Sequence, residues 1–431
     1  MDLSARVLQN LAPWRSAQAW CVALSGGLDS SVLLHLLVSA RAQESLPPLK
    51  AIHVHHGLQS QAGDWAEHCR SVCRQLEVEL HVAKVQVPAV ASLEQAARQA
   101  RYQAFAQYLG DGEVLLAAQH QDDQAETLLF RLLRGAGVLG LAAMKPARPL
   151  EAGALVRPLL GVPQAQLQTY ALEHGLCWVE DPSNQSTAYD RNYLRLEVAP
   201  LLRQRWPQFT RAFARTAQHM SEAVELLDEL AAEDLAVLQR QASPWPWLDV
   251  PSLPISALCE LSEARQKNLL RYWLRDYVSM PDTEHWQGWQ HLRDAGADAQ
   301  PIWHLGSGQL RREAGRIWWL TGAWLESAPS ALVDLPVASP FSIELPNNGR
   351  LWSEGKIAGE RLYAAYRQGG ERMQLPNRGG RDLKRLLNEE GVPSFVRARL
   401  PLLFLDEQLV AVANLPLCSL PGFALHWQPL K

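Results

Sequence analysis

Residues 19–37, AWCVALSGGLDSSVLLHLL, form an apolar run that breaks at a glycine-rich hexapeptide and resumes with a different spacing. Before the break, apolar residues alternate with small ones, which is typical of a buried strand; after it, they recur at helical spacing. The segment predicts a strand, a tight turn and a helix.

The turn has the residues of an anion site: Ser25, Gly26, Gly27, Leu28, Asp29 and Ser30. Two glycines allow backbone N–H groups to approach a ligand, and the following helix points its positive end at the same place. The two serines offer hydroxyl donors to phosphate oxygens, and Asp29 is a candidate ligand for Mg²⁺. The pattern is not a Walker P-loop, because it has no G-x-x-x-x-G-K-[ST]. A helix simply capped by Asp29 or Ser30 is the structural alternative.

The composition predicts a multidomain protein of the cytoplasm. The chain has 431 residues, enough for two to four domains, and a net charge of −4. We find no signal-peptide pattern and no apolar run of spanning length, so we expect no membrane partner. Six cysteines form no CxxC pair, which favours reduced structural thiols over a metal site.

The first 205 residues alternate strand and helix patterns. Strands are predicted at 49–56, 78–85 and 114–120, and helices at 62–76 and 92–109. This order predicts an α/β domain with a doubly wound parallel sheet, whose ligands bind at the carboxyl ends of the strands. The hexapeptide, residues 55–57 and residues 120–123 should therefore converge on one crevice.

The most specific stretch after the hexapeptide is HQDDQAETLLFRLLRGAGVLGLAAM at residues 120–144. His120, Asp123 and Glu126 can line one side of a helix start, where carboxylates can hold Mg²⁺ or accept a proton from an amine. Capping of the helix is the alternative for all the carboxylates, and for Asp122 we favour it. Arg134 ends the helix in a glycine-rich segment.

Further arginines and polar residues lie in two other segments. Arg98 and Arg101 are three positions apart on one helix face, which as a default is a solvated charged face. Residues 181–184, which include Asp181 and Asn184, have turn composition and precede a basic helix at 192–205.

The rest of the chain has the patterns of helices, short strands and a basic region. Helices are predicted at 210–240, 262–278 and 282–293, strands at 302–305, 308–312 and 316–320, and a boundary at 336–350. Residues 361–400 hold nine basic and four acidic side chains, Arg378 among the basic ones, and an amphipathic helix at 381–387 with Arg381, Lys384 and Arg385. The tryptophans at 286, 289, 318 and 319 are better explained by core packing than by base stacking.

These stretches resemble the tRNA(Ile)-lysidine synthetase family, within the N-type ATP pyrophosphatases. SGGLDSS resembles the pyrophosphate loop, and residues 120–144 resemble the family's H-x-x-D-D-Q-A-E-T…R-G-x-G-x-x-G-L motif. Three further family patterns have similar stretches here. R-x-x-R-Y begins at Arg98, D-x-S-N begins at Asp181, and R-N-x-x-R runs from Arg191 to Arg195. One departure is Pro163-Gln164, where family members often carry an arginine.

The resemblance implies a Rossmann-like catalytic domain (1–208), a mostly helical tRNA-contacting domain (209–335) and a basic α+β tRNA-binding domain (336–431). It implies that L-lysine is joined to C2 of the wobble cytidine in the CAU anticodon of tRNA(Ile), with ATP as co-substrate and Mg²⁺. This modification changes codon reading from AUG to AUA. Asp29, His120, Asp123 and Glu126 would be catalytic, residues 25–30 would bind ATP, and the substrate or tRNA would contact the following candidates: Arg98, Arg101, Arg134, Asp181, Asn184, Arg191, Arg195, Arg381, Lys384 and Arg385. A homodimer stays open.

Three alternatives remain at this point. A tRNA cytidine 2-thiolase shares the loop but usually needs cysteine pairs, which this chain lacks. An adenylating amidotransferase for a small metabolite does not need a basic C-terminal domain. A tRNA-binding module that has lost catalysis would not need Asp29, His120, Asp123 and Glu126.

Overall fold

The computed structural model describes residues 2–57, 59, 61–88, 93–278, 286–296, 299–336, 340–357, 359–375 and 379–430. The chain divides into two compact units, Met1–Leu226 and Leu227–Lys431. Parts of the predicted helix at 282–293 and of the predicted boundary at 336–350, and Arg378, lie outside the described residues.

The first unit is built on a six-stranded sheet in the order β3-β2-β1-β4-β6-β5. Its strands are β1 (Trp20–Ala23), β2 (Leu49–His55), β3 (Glu79–Lys84), β4 (Val114–Leu116), β5 (Ala147–Leu150) and β6 (Gly153–Val156). All neighbours are parallel except β5 and β6. The helices are α1 (Leu3–Leu11), α2 (Leu28–Arg41), α3 (Ala62–Gln75), α4 (Leu93–Tyr108), α5 (Gln121–Leu133), α6 (Val138–Leu141), α7 (Gln164–Glu173), α8 (Asp190–Tyr193) and α9 (Ala199–Arg205).

Helices cover both faces of this sheet, because successive buried side chains of β1 point to opposite faces. Trp20 and Val22 pack with residues of α1, α2, α3 and α7, whereas Cys21 packs with Phe105 and Leu109 of the α4 region. The predicted doubly wound parallel sheet is confirmed.

Two features of the first unit differ from the prediction. The strand predicted at 114–120 ends at Leu116, and residues 117–120 form the irregular segment that connects β4 to α5. The hairpin of β5 and β6 was not predicted; β5 carries Pro149, which an edge strand tolerates because one side of it needs no backbone donor.

The predicted basic helix at 192–205 is also interrupted. Between α8 and α9 the chain forms a π-helical segment, Leu194–Val198. The helical direction continues through this segment, but its turn is wider than an α-helical one.

The long helix α10 (Phe209–Gln239) matches the helix predicted at 210–240 and runs across the division between the two units. The second unit begins with a sheet in the order β7-β10-β9-β8 and three helices. These elements are β7 (Ser252–Pro254), α11 (Ile255–Glu260), α12 (Glu263–Leu274), α13 (Gln287–Asp294), β8 (Ile302–Leu305), β9 (Gly308–Glu313) and β10 (Arg316–Leu320). Trp289, Trp318 and Trp319 are almost fully buried, which confirms their role in core packing.

The last region consists of two sheets, a hairpin and two short helices, in agreement with the predicted α+β fold. Its elements are β11 (Val333–Leu335), β12 (Ser342–Leu345), β13 (Gly349–Glu354), β14 (Leu362–Ala365), β15 (Arg372–Leu375), β16 (Gly379–Asp382), α14 (Leu383–Glu389), α15 (Ser394–Arg397), β17 (Leu402–Leu405), β18 (Gln408–Val412) and β19 (Ala424–Gln428). The helix predicted at 381–387 starts later, because Asp382 caps α14 and Arg381 belongs to β16. Domain boundaries at 208/209 and 335/336 stay predictions.

Candidate active site

The glycine-rich loop between β1 and α2 is held by its own two serines. The Ser25 and Ser30 hydroxyls lie 3.0 Å apart, and the Ser30 hydroxyl donates to the carbonyl of Gly27 at 3.1 Å. The N–H of Gly27 donates in turn to the Ser25 hydroxyl at 3.2 Å. These bonds fix the path of the loop without using the first N–H groups of α2.

Gly26 meets two requirements that only glycine satisfies together. Its φ is +85°, and a Cβ there would lie 3.1 Å from both Cys69 Sγ and Val179 Cγ2. Its carbonyl accepts a hydrogen bond from the N–H of Val179 at 2.9 Å. The loop is therefore packed between α3 and the segment that follows α7.

The N-terminus of α2 has no side-chain cap. Gly27 is the N-cap residue and makes no capping bond, so the alternative in which Asp29 or Ser30 caps the helix is wrong. The first N–H groups of a 14-residue helix thus face the loop together with its dipole, which is a favourable place for a phosphate.

His120 connects this loop to helix α5. It is 2% exposed and is the N-cap of α5, where its Nδ1 accepts from the N–H of Asp123 at 3.4 Å. The ring proton therefore sits on Nε2, which lies 3.5 Å from Asp29 Oδ2 and 3.4 Å from Asp123 Oδ2. Burial lowers the pKa of His120, but the two carboxylates outweigh it, so the pKa is raised above 6.5.

Asp29 has a carboxylate oxygen that suits a cation. Its Oδ1 is buried and has no hydrogen-bond partner, while its Oδ2 faces His120. Within the described ranges, no three His, Cys, Asp or Glu side chains are grouped so as to hold a metal ion. Mg²⁺ is commonly held by one or two carboxylates together with phosphates and water, so Asp29 beside a phosphate loop fits that ion.

Asp123 and Glu126 are paired with two arginines that follow α7 in the chain. Arg191 reaches Asp123 at 3.0 Å and Glu126 at 3.2 Å, and Arg195 reaches Glu126 at 2.7 Å and Asp123 at 3.2 Å. Burial raises the pKa of Asp123, but His120 and the arginines outweigh burial and hold that pKa below its usual value. We call these four residues and His120 the carboxylate cluster.

Asp122 has a different environment, although it is next to Asp123. Its carboxylate accepts from the N–H of Gln164 at 2.9 Å, at the start of α7, and from Arg203 at 3.3 Å. Asp122 thus has a structural role at the start of α7, whereas the capping box of α5 is formed by His120 and Asp123, whose Oδ2 accepts from the His120 N–H at 3.1 Å.

The other candidates of the first unit lie outside the carboxylate cluster. The Arg98 guanidinium stacks on Tyr102, and Arg134 stacks on Phe130. Asp181 caps the short 3₁₀ turn that contains Asn184 and accepts from Gln59 at 2.9 Å, so the predicted turn is present. Arg101 is exposed. Burial, followed by the charge of Arg101 as the second cause, lowers the pKa of His56 to about 4.

The basic candidates of the second unit lie on the hairpin and helix α14. Lys384 and Arg385 are exposed, and Arg385 pairs with Glu389 at 2.9 Å. The buried face of α14 consists of Leu383, Leu386 and Leu387, so the predicted amphipathic pattern is correct.

Of two further arginines near Tyr102, Arg148 was not singled out from the sequence, whereas Arg157 begins an R-P-L-L stretch that resembles the family pattern. Arg148 lies on β5, and Arg157 directly follows β6. Arg157 is 5% exposed.

Comparisons with known proteins agree over the whole chain. Family models described as PP-loop domain, TilS substrate binding domain and TilS substrate C-terminal domain match residues 1–202, 253–318 and 362–426. A curated tRNA(Ile)-lysidine synthase of Pseudomonas aeruginosa is 56% identical over 100% of this chain and 98% of its own length. Another, of Escherichia coli O157:H7, is 42% identical over 91% of each chain.

Proposed function

Because the chain belongs to the tRNA(Ile)-lysidine synthase family, we propose that it joins L-lysine to C2 of the wobble cytidine of tRNA(Ile) with a CAU anticodon, in the cytoplasm. It is an ATP-dependent ligase of tRNA modification. The product would pair with AUA instead of AUG.

One observation carries the proposed chemistry: His120 bridges the phosphate loop and the carboxylate pair. Its Nε2 lies within 3.5 Å of Asp29 on the loop side and of Asp123 on the other side. A nucleotide bound at the loop and an amine bound at Asp123 and Glu126 would therefore meet at this histidine. Two half-reactions that share one carbon atom need such an arrangement.

In the first half-reaction, the C2 oxygen of the cytidine attacks the α-phosphorus of ATP and pyrophosphate leaves. The Ser25 and Ser30 hydroxyls and the N–H groups at the start of α2 bind the pyrophosphate. Asp29 would hold Mg²⁺, which neutralises charge on the phosphates when bound. Adenylation turns the C2 oxygen into a good leaving group.

In the second half-reaction, the ε-amine of lysine attacks C2 and AMP leaves with the former C2 oxygen. Free lysine has a pKa near 10.4, so its ammonium group must lose a proton before it attacks. Asp123 and Glu126 orient the amine, sharing their oxygens with Arg191 and Arg195. One of these two carboxylates would accept the proton, and the pKa of Asp123, which is held low, makes Asp123 a weak base.

The tRNA would contact the basic side chains of both units. Half-buried Arg381 and exposed Lys384 and Arg385 offer a basic surface in the second unit, and exposed Arg98, Arg101 and Arg134 do so in the first. Asp181 and Asn184 stay candidates for substrate contact.

Thiolation of the same cytidine is the less supported reaction. Sulfur transfer usually needs accessible, paired thiolates, but Cys69 and Cys73 are buried, and the exposed Cys177 and Cys259 are far apart in the sequence and belong to no CxxC pair. Burial raises the pKa of Cys69 to about 12 and that of Cys73 to about 11. Both thiols would stay protonated, as expected for structural cysteines.

The test uses the full chain, labelled L-lysine, ATP, magnesium and unmodified tRNA(Ile) with a CAU anticodon. We expect label on the wobble cytidine and one pyrophosphate released per lysine joined. tRNA(Met), with the same anticodon, is the specificity control. Release of pyrophosphate that depends on tRNA, without label, would contradict lysine as the nucleophile; no release at all would contradict the adenylation.

A further inference from the structure

A group of arginines surrounds one tyrosine in the first unit. We define the Tyr102 cluster as Tyr102 with Arg98, Arg148 and Arg157, and we include Arg131 because burial, followed by the charge of Arg98, lowers the pKa of Arg131. The carbons at the centre of the Arg98 and Arg148 guanidinium groups lie 5.1 and 4.9 Å from the centroid of the Tyr102 ring. Two cations thus share one aromatic ring, brought together from helix α4 and strand β5.

Arg157 and Arg131 are held in place by hydrogen bonds to backbone carbonyls. Arg157 donates to the carbonyl of Lys145 at 2.6 Å and to Gln119 at 3.2 Å. Arg131 donates to the carbonyls of Gly140 and Ala143 at 2.8 and 2.9 Å. These bonds orient the guanidinium groups but leave their positive charge uncompensated.

Among the described residues, like charge accumulates here without a carboxylate as counterion. In the part of the chain that the structure describes, none of the four arginines forms an ion pair with a carboxylate; Arg148 donates to the carbonyl of Pro149. Burial lowers the pKa of Arg157, the Tyr102 side chain opposes this by its charge and its hydrogen bond, and the charges of Arg148 and Arg98 lower the pKa again, as expected for groups of like charge. An arrangement of this kind costs stability in the free protein, and an anionic ligand would recover that cost.

The Tyr102 cluster lies at the edge of the sheet where catalysis is expected. Arg157 directly follows the carboxyl end of β6, and its partner Gln119 directly precedes His120. Arg148 is the second residue of β5, whose start pairs with the end of β6. The cluster is therefore beside the crevice, with Arg148 and Arg157 at the β5–β6 edge of the sheet and Tyr102 on the helix that covers one face of the sheet.

We propose that the Tyr102 cluster binds a backbone phosphate of the anticodon loop next to the target cytidine, with Arg98 and Arg148 as its direct ligands. This inference rests on the proposed function. Guanidinium groups match phosphate oxygens with two parallel N–H donors, and Tyr102 holds both groups in place between binding events.

The position favours RNA over ATP as the source of that phosphate. The ATP loop follows β1, whereas Arg157 and Arg148 lie at the adjoining ends of β6 and β5, two and three strands away in the sheet. With neighbouring strands about 4.8 Å apart, this separation is about 10 Å or more. A nucleotide whose phosphates lie at the α2 N-terminus would place them away from the cluster, but a strand of RNA that reaches the crevice would pass it.

The experiment compares the full chain with its Arg98→Gln and Arg148→Gln variants, and with Arg148→Lys. The matched control is Arg15→Gln, which removes the same charge from an arginine of the same unit that pairs with Glu44. The measurements are KM for tRNA(Ile), KM for ATP, the salt dependence of tRNA binding and the melting temperature.

We expect KM for tRNA to rise about tenfold in each Gln variant, the value for one lost charged hydrogen bond. KM for ATP should not change. The slope of log binding constant against log salt concentration should become shallower by about one per arginine removed. Arg148→Lys should restore part of the affinity, and Arg98→Gln should leave the melting temperature equal or higher, since it relieves repulsion.

Two results would overturn the inference. Affinity and salt slope equal to those of Arg15→Gln would exclude an RNA contact. A raised KM for ATP with unchanged KM for tRNA would assign the cluster to the nucleotide. If the unmodified chain transfers lysine normally, either result contradicts only this inference and leaves the proposed function intact. If the unmodified chain transfers no lysine, the proposed function itself is wrong.

Discussion

The carboxylate cluster and the Tyr102 cluster are both rich in arginine and lie in one unit, yet they are neutralised differently. Arg191 and Arg195 pair with Asp123 and Glu126, whereas Arg98 and Arg148 share an aromatic ring. Paired arginines contribute to the fold and preorganise acidic groups, and unpaired ones keep their charge for a ligand. We infer that the presence or absence of a carboxylate partner among the described residues distinguishes positioning arginines from those proposed to bind RNA.

The largest effect should come from removing a charge inside the carboxylate cluster. We expect Asp123→Asn to reduce lysine transfer about 10²- to 10⁴-fold, because an amide cannot orient the ammonium group through a full negative charge. Asp122→Asn is the matched neighbour, and its amide oxygen can still accept from Gln164. Labelled lysine on tRNA is the readout.

The Asp122 variant should retain transfer within about threefold, since its bond to Arg203 is an exposed one. Equal losses in the two variants would remove the distinction between these neighbouring carboxylates.

Stability should separate the two arginine sets next. Arg195→Gln leaves two largely buried carboxylates with one arginine, at a cost of about 2 kcal/mol after allowance for the one-third exposure of Arg195. Differential scanning calorimetry should show a melting temperature about 5 °C lower. Arg98→Gln should show no decrease, and a decrease in both variants would contradict the comparison.

The third test concerns the protonation of His120. Because its pKa is raised above 6.5 in the folded chain, its stabilising contribution is complete below about pH 6.5 and is lost as pH rises through the folded-state pKa. Asp29→Asn should lower the pKa of His120, as followed by NMR of its ring protons. The stability advantage of the unmodified chain over this variant should therefore shrink from pH 6 to pH 8. An unchanged histidine pKa would mean that Asp29 does not interact with it.

The smallest effect is expected on Tyr102. Burial raises the pKa of its phenol, but Arg98, Arg157, Arg101 and Arg148 outweigh burial and lower it. Arg98→Gln should therefore raise this pKa, measured by NMR of ¹³Cζ-labelled tyrosine across an alkaline titration. Arg15→Gln should leave it unchanged, and a shift of the same size in that control would indicate a general charge effect.

The parallel sheet and its crevice were predictable because they follow from local patterns. The apolar alternation of β1, the glycines of the loop and the N-terminal residues of α5 each encode their own geometry. Since the carboxyl ends of parallel strands share one edge, the meeting of Asp29 and His120 followed from the fold class.

Pairing between distant segments was not predictable in the same way. Arg191 and Arg195 lie 65 or more positions from Glu126 in the chain, and no spacing rule links them to it. The β5–β6 hairpin was missed because Pro149 and Gly153 weaken a strand pattern; a Cβ on Gly153 would lie 2.3 Å from the carbonyl oxygen of Glu113. Arg148 was missed with that hairpin.

The π-helical segment Leu194–Val198 makes chain length a constraint of its own. It separates Arg191, before the segment, from Arg203, after it, and both arginines contact carboxylates at the start of α5. Deleting one residue would convert the segment to α-helix and rotate helix α9 by about 100°. Arg203 would then face away from Asp122. Substitutions should therefore be tolerated in this segment more readily than insertions or deletions.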